Sequence, residues 1–110
     1  MNTGWSKWRR FPDPRLQELL IAPLGPGCYE LRRGSQMVLY GMSANVAYRM
    51  SSLLPTPFGC GSRRNDRKRS YVLEYLRDIE YRTLACASAA EATEIERQMM
   101  RNRVLYLFGS

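Results

Sequence analysis

The sequence contains no histidine and only three cysteines among its 110 residues. Cys28, Cys60 and Cys86 are widely separated and form no CxxC pair. A structural zinc site needs several Cys or His ligands at short spacing, so this pattern argues against one. Three scattered cysteines also do not make a disulfide framework. A reducing, cytoplasmic compartment is the simplest interpretation.

Long apolar runs are missing as well. No stretch of 18 apolar residues occurs, so we expect no transmembrane helix and no membrane partner. The first ten residues lack the apolar segment of a secretory signal. A chain of this length with 45% hydrophobic residues predicts one compact domain. We expect residues 13–110 to form that domain, with residues 1–12 as a basic, aromatic N-terminal arm.

Acidic residues are outnumbered by basic ones, 10 to 17, which gives a net charge of +7. This balance is typical of proteins that bind polyanions, including nucleic acids. The cations concentrate between positions 63 and 69, where a phosphate-binding surface or a solvated loop and helix start would both fit. The residues predicted to contact nucleic acid are Arg63, Arg64, Arg67, Lys68, Arg69 and Tyr71.

A β-hairpin is predicted around the Gly34-Ser35 pair, because glycine supplies the positive φ that the first position of such a turn needs. With a two-residue turn, Tyr29 lies directly opposite Tyr40, and Leu31 lies opposite Val38. Opposed residues share one face of a sheet, so the two phenols are expected side by side. From the hairpin alone, the simplest interpretation is an aromatic pair that packs.

The rest of the chain predicts helices and one further strand. A helix capped by Ser43 should run to Leu54, and another should start at residue 65 or 66. Alternation and β-branched or aromatic content predict a strand over 79–87. Ser88 and Glu91 have the spacing of a capping box that opens the last long helix.

This arrangement resembles the GIY-YIG nuclease family, in which two hairpin tyrosines are followed by an arginine and then a glutamate on later helices. Here Gly27-Cys-Tyr29 stands for the first motif and Leu39-Tyr40-Gly41 for the second, followed by Arg49 and Glu96. The resemblance covers residues 25–100. It implies a small α/β (α+β) domain with a three-stranded antiparallel sheet flanked by helices.

The resemblance also implies an activity, the hydrolysis of phosphodiester bonds with one divalent ion, Mg²⁺ or Mn²⁺. By position, Tyr29 and Tyr40 would flank the attacking water and the scissile phosphate. Arg49 would contact that phosphate, and Glu96 would bind the metal.

Two positions depart from the family pattern. Leu53 stands four residues after the arginine, where the family usually has histidine or tyrosine. A general base commonly contributes about 10²–10⁴-fold in rate, so we expect slow turnover or a base supplied by Tyr29 or Tyr71. Asn102 comes too early in the chain to match the asparagine that often follows the family's glutamate helix.

Helical periodicity supports two of these roles. Glu96 falls near the middle of the apolar face of the last helix, whereas Glu91 and Glu94 fall outside it. An inward carboxylate needs a partner, which is either Mg²⁺ with its retained waters or a buried arginine. Arg49 lies at the edge of the buried side of its helix, where it either clamps a phosphate or covers the core with its aliphatic stem.

Three functions follow from these patterns. The first is a metal-dependent endonuclease acting on DNA, with the choice between DNA and RNA left open. The second is a nucleic-acid-binding module on the same scaffold with weak or lost catalysis. The third is an interaction domain that docks an acidic partner protein. We expect so small a domain to take its specificity from a partner protein or from a homodimer.

Overall fold

The computed structural model describes residues 4–59 and 66–109, with only the backbone of Asp66 included. The fold is α+β, as the sequence predicts. Its centre is a hairpin of strands β2 (Gly27–Arg33) and β3 (Gln36–Ser43), joined by the expected two-residue turn. Gly34 has a φ of 60° in this turn, a conformation that side-chain-bearing residues rarely adopt.

The sheet has four antiparallel strands rather than the three that we expected. Their order is β1-β4-β2-β3, where β1 is Arg9–Arg10 and β4 is Ile79–Ala85. Strand β1 belongs to the N-terminal arm and pairs with β4, and Phe11 N donates to Ile79 O at 2.8 Å beyond it. Strand β1 has only two residues, which is too short to show the alternation of apolar and polar residues that predicts a strand.

The register of the hairpin also differs from the prediction. A β-bulge between Leu31 and Arg32 places Tyr29 opposite Gly41 and Leu31 opposite Leu39. Because successive side chains in a strand point to opposite faces, this shift of one residue sends the Tyr29 and Tyr40 side chains to opposite faces. The prediction that the two phenols stand side by side on one face was therefore wrong.

The described residues also form three α-helices, α1 (Val46–Ser51), α2 (Asp66–Glu74) and α3 (Ala89–Met100), and a short 3₁₀ helix, Leu76–Asp78, before β4. Helix α1 is shorter than predicted, and its N-cap is Asn45, whose side chain accepts from Tyr48 N at 3.0 Å. Ser88 caps α3 by accepting from Glu91 N at 3.1 Å, as its sequence signature predicts. None of the described helices has the length and apolar composition needed to cross a bilayer.

One face of the sheet carries the main apolar core. It packs against buried residues of α1 and α2 and of the segment that follows α1. Leu53 is fully buried in this core, which also includes Tyr29, so the position that departs from the family pattern serves packing. The remaining fully buried large side chains of the described chain include Phe11, Leu31, Val38, Leu39, Val46, Met50, Val72, Ile79 and Tyr81.

Candidate active site

A cavity of about 440 Å³ lies at the outer edge of β3. All four side chains predicted to be catalytic line it, and each comes from a different element of the fold. Tyr29 comes from β2, Tyr40 from β3, Arg49 from α1 and Glu96 from α3. Lys68, predicted to contact nucleic acid, also lines the cavity.

Tyr29 reaches this cavity from the core face of the sheet. Its side chain is only 3% exposed, and its ring lies against the backbone of Gly41. A Cβ at Gly41 would come within 2.5 Å of Tyr29 Oη, so only glycine leaves room for the phenol. Among the described residues, Tyr29 Oη has no hydrogen-bond partner. A buried hydroxyl without a partner is costly and calls for a ligand or water that completes it.

Tyr40 reaches the same cavity from the opposite face. Its hydroxyl donates to Gly109 O at 2.8 Å, which ties it to the C-terminal segment. Burial, followed by the negative charge of Glu96, raises the pKa of the Tyr40 phenol, while Arg103 acts in the opposite direction. Tyr40 is therefore a neutral hydrogen-bonding group at ordinary pH, which suits it to positioning rather than to accepting a proton.

Arg49 is carried on the exposed side of α1. The buried residues Val46 and Met50 fix this helix against the core. Backbone bonds from its first turn to the preceding loop add to that support, with Ala47 N donating to Pro23 O at 2.8 Å. Arg49 is exposed and lines the cavity, so its charge is available to a ligand there.

Glu96 lies on the side of α3 that faces the sheet. Ala92, one turn earlier, is fully buried, and its carbonyl accepts the thiol hydrogen of Cys28 at 3.3 Å. Glu96 itself is half-buried at the cavity wall, and its charge contributes to raising the pKa of both Tyr40 and Cys28. The ion pairs of the described residues do not include Glu96, so the alternative of a salt bridge to a buried arginine finds no support there.

Glu96 is the only carboxylate among the described residues that line the cavity. Within residues 4–59 and 66–109, no group of three or more Cys, Asp or Glu side chains is arranged to hold a metal ion. This donor set does not make an all-protein metal cage. It fits Mg²⁺ or Mn²⁺ of the kind that is held by one carboxylate together with waters and substrate oxygens.

The residues predicted to contact nucleic acid lie in different parts of the structure. Arg63 and Arg64 lie outside the described residues. Arg69 donates to Leu54 O at 2.9 Å and to Thr56 Oγ1 at 3.2 Å, so it braces the loop after α1. Arg67 and Tyr71 line a neighbouring cavity of about 350 Å³.

Sequence reasoning missed three parts of the cavity wall. Gly41 was noted only as part of a motif, although its missing side chain makes room for Tyr29. Arg103 and the segment of Phe108 and Gly109 also line the cavity, close to Tyr40. No local pattern marks these C-terminal residues, because they approach β3 from about seventy positions away in the chain.

No family model matches this chain, and neither the curated proteins nor the solved structures include a match.

Proposed function

We propose that this protein is a metal-dependent endonuclease of the GIY-YIG type, which hydrolyses phosphodiester bonds in DNA. The supporting observation is the cavity beside β3, where a buried phenol, an exposed arginine and a carboxylate converge, and where neither the phenol nor the carboxylate is paired with another described residue. These groups provide a hydrogen-bonding site, a positive charge and a metal ligand within one space. A core-packing role alone would not require all three.

Each side chain then has a distinct task. The Arg49 guanidinium binds the scissile phosphate and stabilises the negative charge that grows on it as the fifth oxygen approaches. Its planar donor fork matches two phosphate oxygens at once. Tyr29 Oη, which has no hydrogen-bond partner within the described part of the chain, orients the attacking water and is the candidate to receive its proton. Tyr40, whose hydroxyl hydrogen is donated to Gly109 O, holds the C-terminal segment in place at the cavity wall.

Glu96 would hold the divalent ion, which when bound lowers the pKa of a coordinated water and polarises the phosphate. Lys68 at the same wall adds positive charge for the substrate. Tyr71, the other phenol considered as a base, lines the neighbouring cavity instead. Tyr29 is therefore the better candidate, and with Leu53 buried in the core we expect turnover to be slow.

The decisive experiment is a cleavage assay on duplex, nicked and branched DNA, with Mg²⁺, with Mn²⁺ and with chelator. Glu96→Gln, which keeps the shape of the side chain, should abolish cleavage and metal binding while the thermal unfolding midpoint stays unchanged. Glu94→Gln is the matched control, because Glu94 is exposed on the same helix and pairs only with Arg97 among the described residues. Full cleavage by the Glu96 variant would remove the metal-ligand assignment.

A second function is a nucleic-acid-binding module with weak or lost catalysis. The hydrogen bond from Tyr40 to Gly109 favours it, since this bond occupies a hydroxyl that catalysis could use. Binding of DNA or RNA without metal-dependent cleavage of either would decide for this module. Loss of activity on purification away from other proteins would point to a partner protein as the source of specificity, whereas activity that falls on dilution of the pure protein would point to a homodimer.

We place the protein in the cytoplasm. The two described cysteines, Cys28 and Cys86, are free thiols, and a reducing compartment preserves such thiols.

A further inference from the structure

A second basic cavity, of about 630 Å³, opens at the tip of the β2–β3 hairpin. Three arginines from three different elements line it: Arg10 from β1, Arg33 from the end of β2, and Arg77 from the short 3₁₀ helix before β4. The Gly34-Ser35 turn forms another part of its wall. None of these residues belongs to the candidate active site.

The guanidinium of Arg33 is held in place by aromatic side chains. It lies 3.6 Å from the ring centroid of Tyr75, and its Nη1 donates to Tyr71 Oη at 3.4 Å. Stacking on an aromatic ring fixes the plane of the guanidinium and leaves part of its donor fork open to a ligand. Binding an anion therefore costs Arg33 less conformational entropy than it would cost a flexible surface arginine.

The other charges of this cavity favour an anion. Arg10 forms no ion pair with any described residue, and Arg77 makes only a loose one to Glu18 at 3.8 Å. Two carboxylates also line the space, but that of Glu80 is bound by Arg32 at 2.9 Å. The remaining carboxylate, Asp78, is the one group here that would oppose an anion.

A third cavity has lining residues that contact the walls of both the other two. Arg67, Tyr71 and Phe108 line it, and Phe108 also lines the candidate active site. Tyr71 in turn accepts the hydrogen bond from Arg33. Phe108 and the hydrogen bond between Arg33 and Tyr71 thus link the three cavities in this order, and we take them to define one flank of the molecule. Each cavity has at least one arginine in its wall, and Glu74 also lines the third.

We propose that a nucleic-acid strand follows this flank and that Arg10, Arg33 and Arg77 bind one of its phosphates. The proposal rests on the nucleic-acid binding in the proposed function, but not on cleavage. From Tyr29 to Arg33 the chain advances four residues of β-strand, about 13 Å. One strand of a duplex carries a phosphate about every 3.4 Å along its axis. The bound phosphate should therefore lie roughly four nucleotides from the scissile one.

The test is a measurement of DNA affinity by fluorescence anisotropy, in chelator, over a range of salt concentrations. The variant Arg10→Ala/Arg77→Ala leaves the stacked Arg33 in place and removes two phosphate-binding charges. Because the three arginines share one phosphate, weakening that contact should flatten the dependence of log affinity on log salt by at most about 0.9 on duplex DNA. The variant Lys7→Ala/Arg97→Ala changes the net charge equally and should keep the parent slope, because neither residue lines the three cavities.

Removing a negative charge from the same cavity tests the site in the opposite direction. Asp78→Asn removes the opposing carboxylate and should tighten DNA binding severalfold, whereas Glu94→Gln on the distant face of α3 should leave it unchanged. Inorganic phosphate, added at matched ionic strength, should weaken DNA binding by the parent protein more than by the Arg10/Arg77 variant.

The outcomes separate this proposal from the proposed function. A parent-like slope in the Arg10/Arg77 variant overturns the hairpin-tip site, even if cleavage is present. If that variant loses binding of inorganic phosphate but keeps the DNA slope, the cavity binds free phosphate and the strand path is wrong. A reduced slope in a protein that cleaves nothing supports the strand path and removes the nuclease.

Discussion

The two faces of the sheet are built on different principles, although they alternate residue by residue along the same strands. One face consists of apolar and aromatic side chains such as Leu31, Leu39 and Tyr81, which pack against α1 and α2. Tyr29 and Tyr81 are the buried phenols of this face among the described residues. The hydroxyl of Tyr81 is fully paired, since it accepts from Ile21 N at 2.9 Å and donates to Ile21 O at 3.1 Å.

The opposite face is polar and is closed by both ends of the described chain. Glu30 is only 3% exposed, yet its carboxylate pairs with Arg82 and accepts from Tyr106 Oη at 2.6 Å. From the N-terminal arm, Trp5 and Trp8 each lie with the ring centroid 4.8 Å from the Arg82 guanidinium carbon.

The comparison shows two ways to remove a strand surface from water. The apolar face is stabilised by burial of non-polar area, which needs only residues of suitable size and pattern. The polar face buries a charge, which is tolerable only when every partner is present. We therefore expect the polar face to fail abruptly when one partner is lost and the apolar face to respond in proportion to the volume removed.

Stability should fall most when the ion pair between Glu30 and Arg82 is broken. Glu30→Ala leaves Arg82 and the Tyr106 hydroxyl without their acceptor and should destabilise the protein by about 3–5 kcal/mol. Urea unfolding followed by circular dichroism measures this loss.

The double variant Glu30→Met/Arg82→Met is its control. Replacing both charges by apolar side chains of similar length should recover part of the lost stability, because no charge is then left alone, although the Tyr106 hydroxyl still lacks its acceptor. A double variant as unstable as Glu30→Ala would show that packing, rather than charge, holds this face together.

A smaller loss is expected from the neighbouring residue on the apolar face. Leu31 is fully buried, and Leu31→Ala should cost about 2–4 kcal/mol through lost contacts and the cavity that remains. Leu31→Met, which nearly conserves volume, should cost less than about 1.5 kcal/mol. Equal losses in the two variants would contradict the proportional response.

Alkaline pH should weaken the polar face gradually. Burial raises the pKa of the Cys28 thiol to about 12 and, together with the bond to Glu30, raises that of the Tyr106 phenol. Because both are favoured as neutral groups in the folded state, their contribution is complete below the unfolded pKa values and is lost above them. For Cys28 the loss of folding stability starts near pH 9, where the thiol of the unfolded chain ionises. Above that pH the free energy of unfolding falls by about 1.4 kcal/mol per pH unit.

Urea midpoints between pH 7 and 11 measure this loss. Cys28→Ala should flatten the decline between pH 9 and 10, where the tyrosines contribute little. A decline of the same steepness in that variant would assign the loss to other groups.

Removing either hydroxyl of the two phenols in the candidate active site should have the smallest effects on stability, and the two effects should differ. Tyr40→Phe loses the bond to Gly109 and should cost about 1 kcal/mol. Tyr29→Phe removes a hydroxyl without a described partner, so stability should stay the same or rise slightly. If Tyr29 is the general base, its loss should nevertheless slow cleavage by about 10²–10⁴-fold at unchanged DNA affinity. Cleavage at the parent rate by Tyr29→Phe would assign the base elsewhere.

Local signals predicted the parts of this fold that depend on neighbouring residues. The Gly34-Ser35 turn and the cap at Ser88 were confirmed because turn and cap chemistry act over a few positions. The register beyond the turn failed, since a bulge of one residue near Leu31 reverses every later side chain. Strand β1 was missed because two residues in an arm show no period.

The candidate site was predicted residue by residue but not in its geometry. The four nominated residues do share a cavity, although Tyr29 and Tyr40 enter it from opposite faces of an edge strand. The buried role of Glu30 had no signal in the sequence, because its partner Tyr106 lies 76 positions away. Long-range pairs of this kind are set by the topology of the whole chain and not by any window of residues.

The bond between Glu30 and Tyr106 also determines when this domain can finish folding during its synthesis. Strands β2, β3 and β4 leave the ribosome before residue 106 does, and domains made from the N-terminus begin to fold as soon as they emerge. Until Tyr106 arrives, the Glu30 carboxylate must remain accessible to water, and the edge of β3 that later binds Leu107 and Phe108 stays open to other chains. We therefore expect the nascent protein to pass through a stage in which all of its apolar core except Phe108 has emerged while its opposite face is still exposed to water and able to pair with another strand.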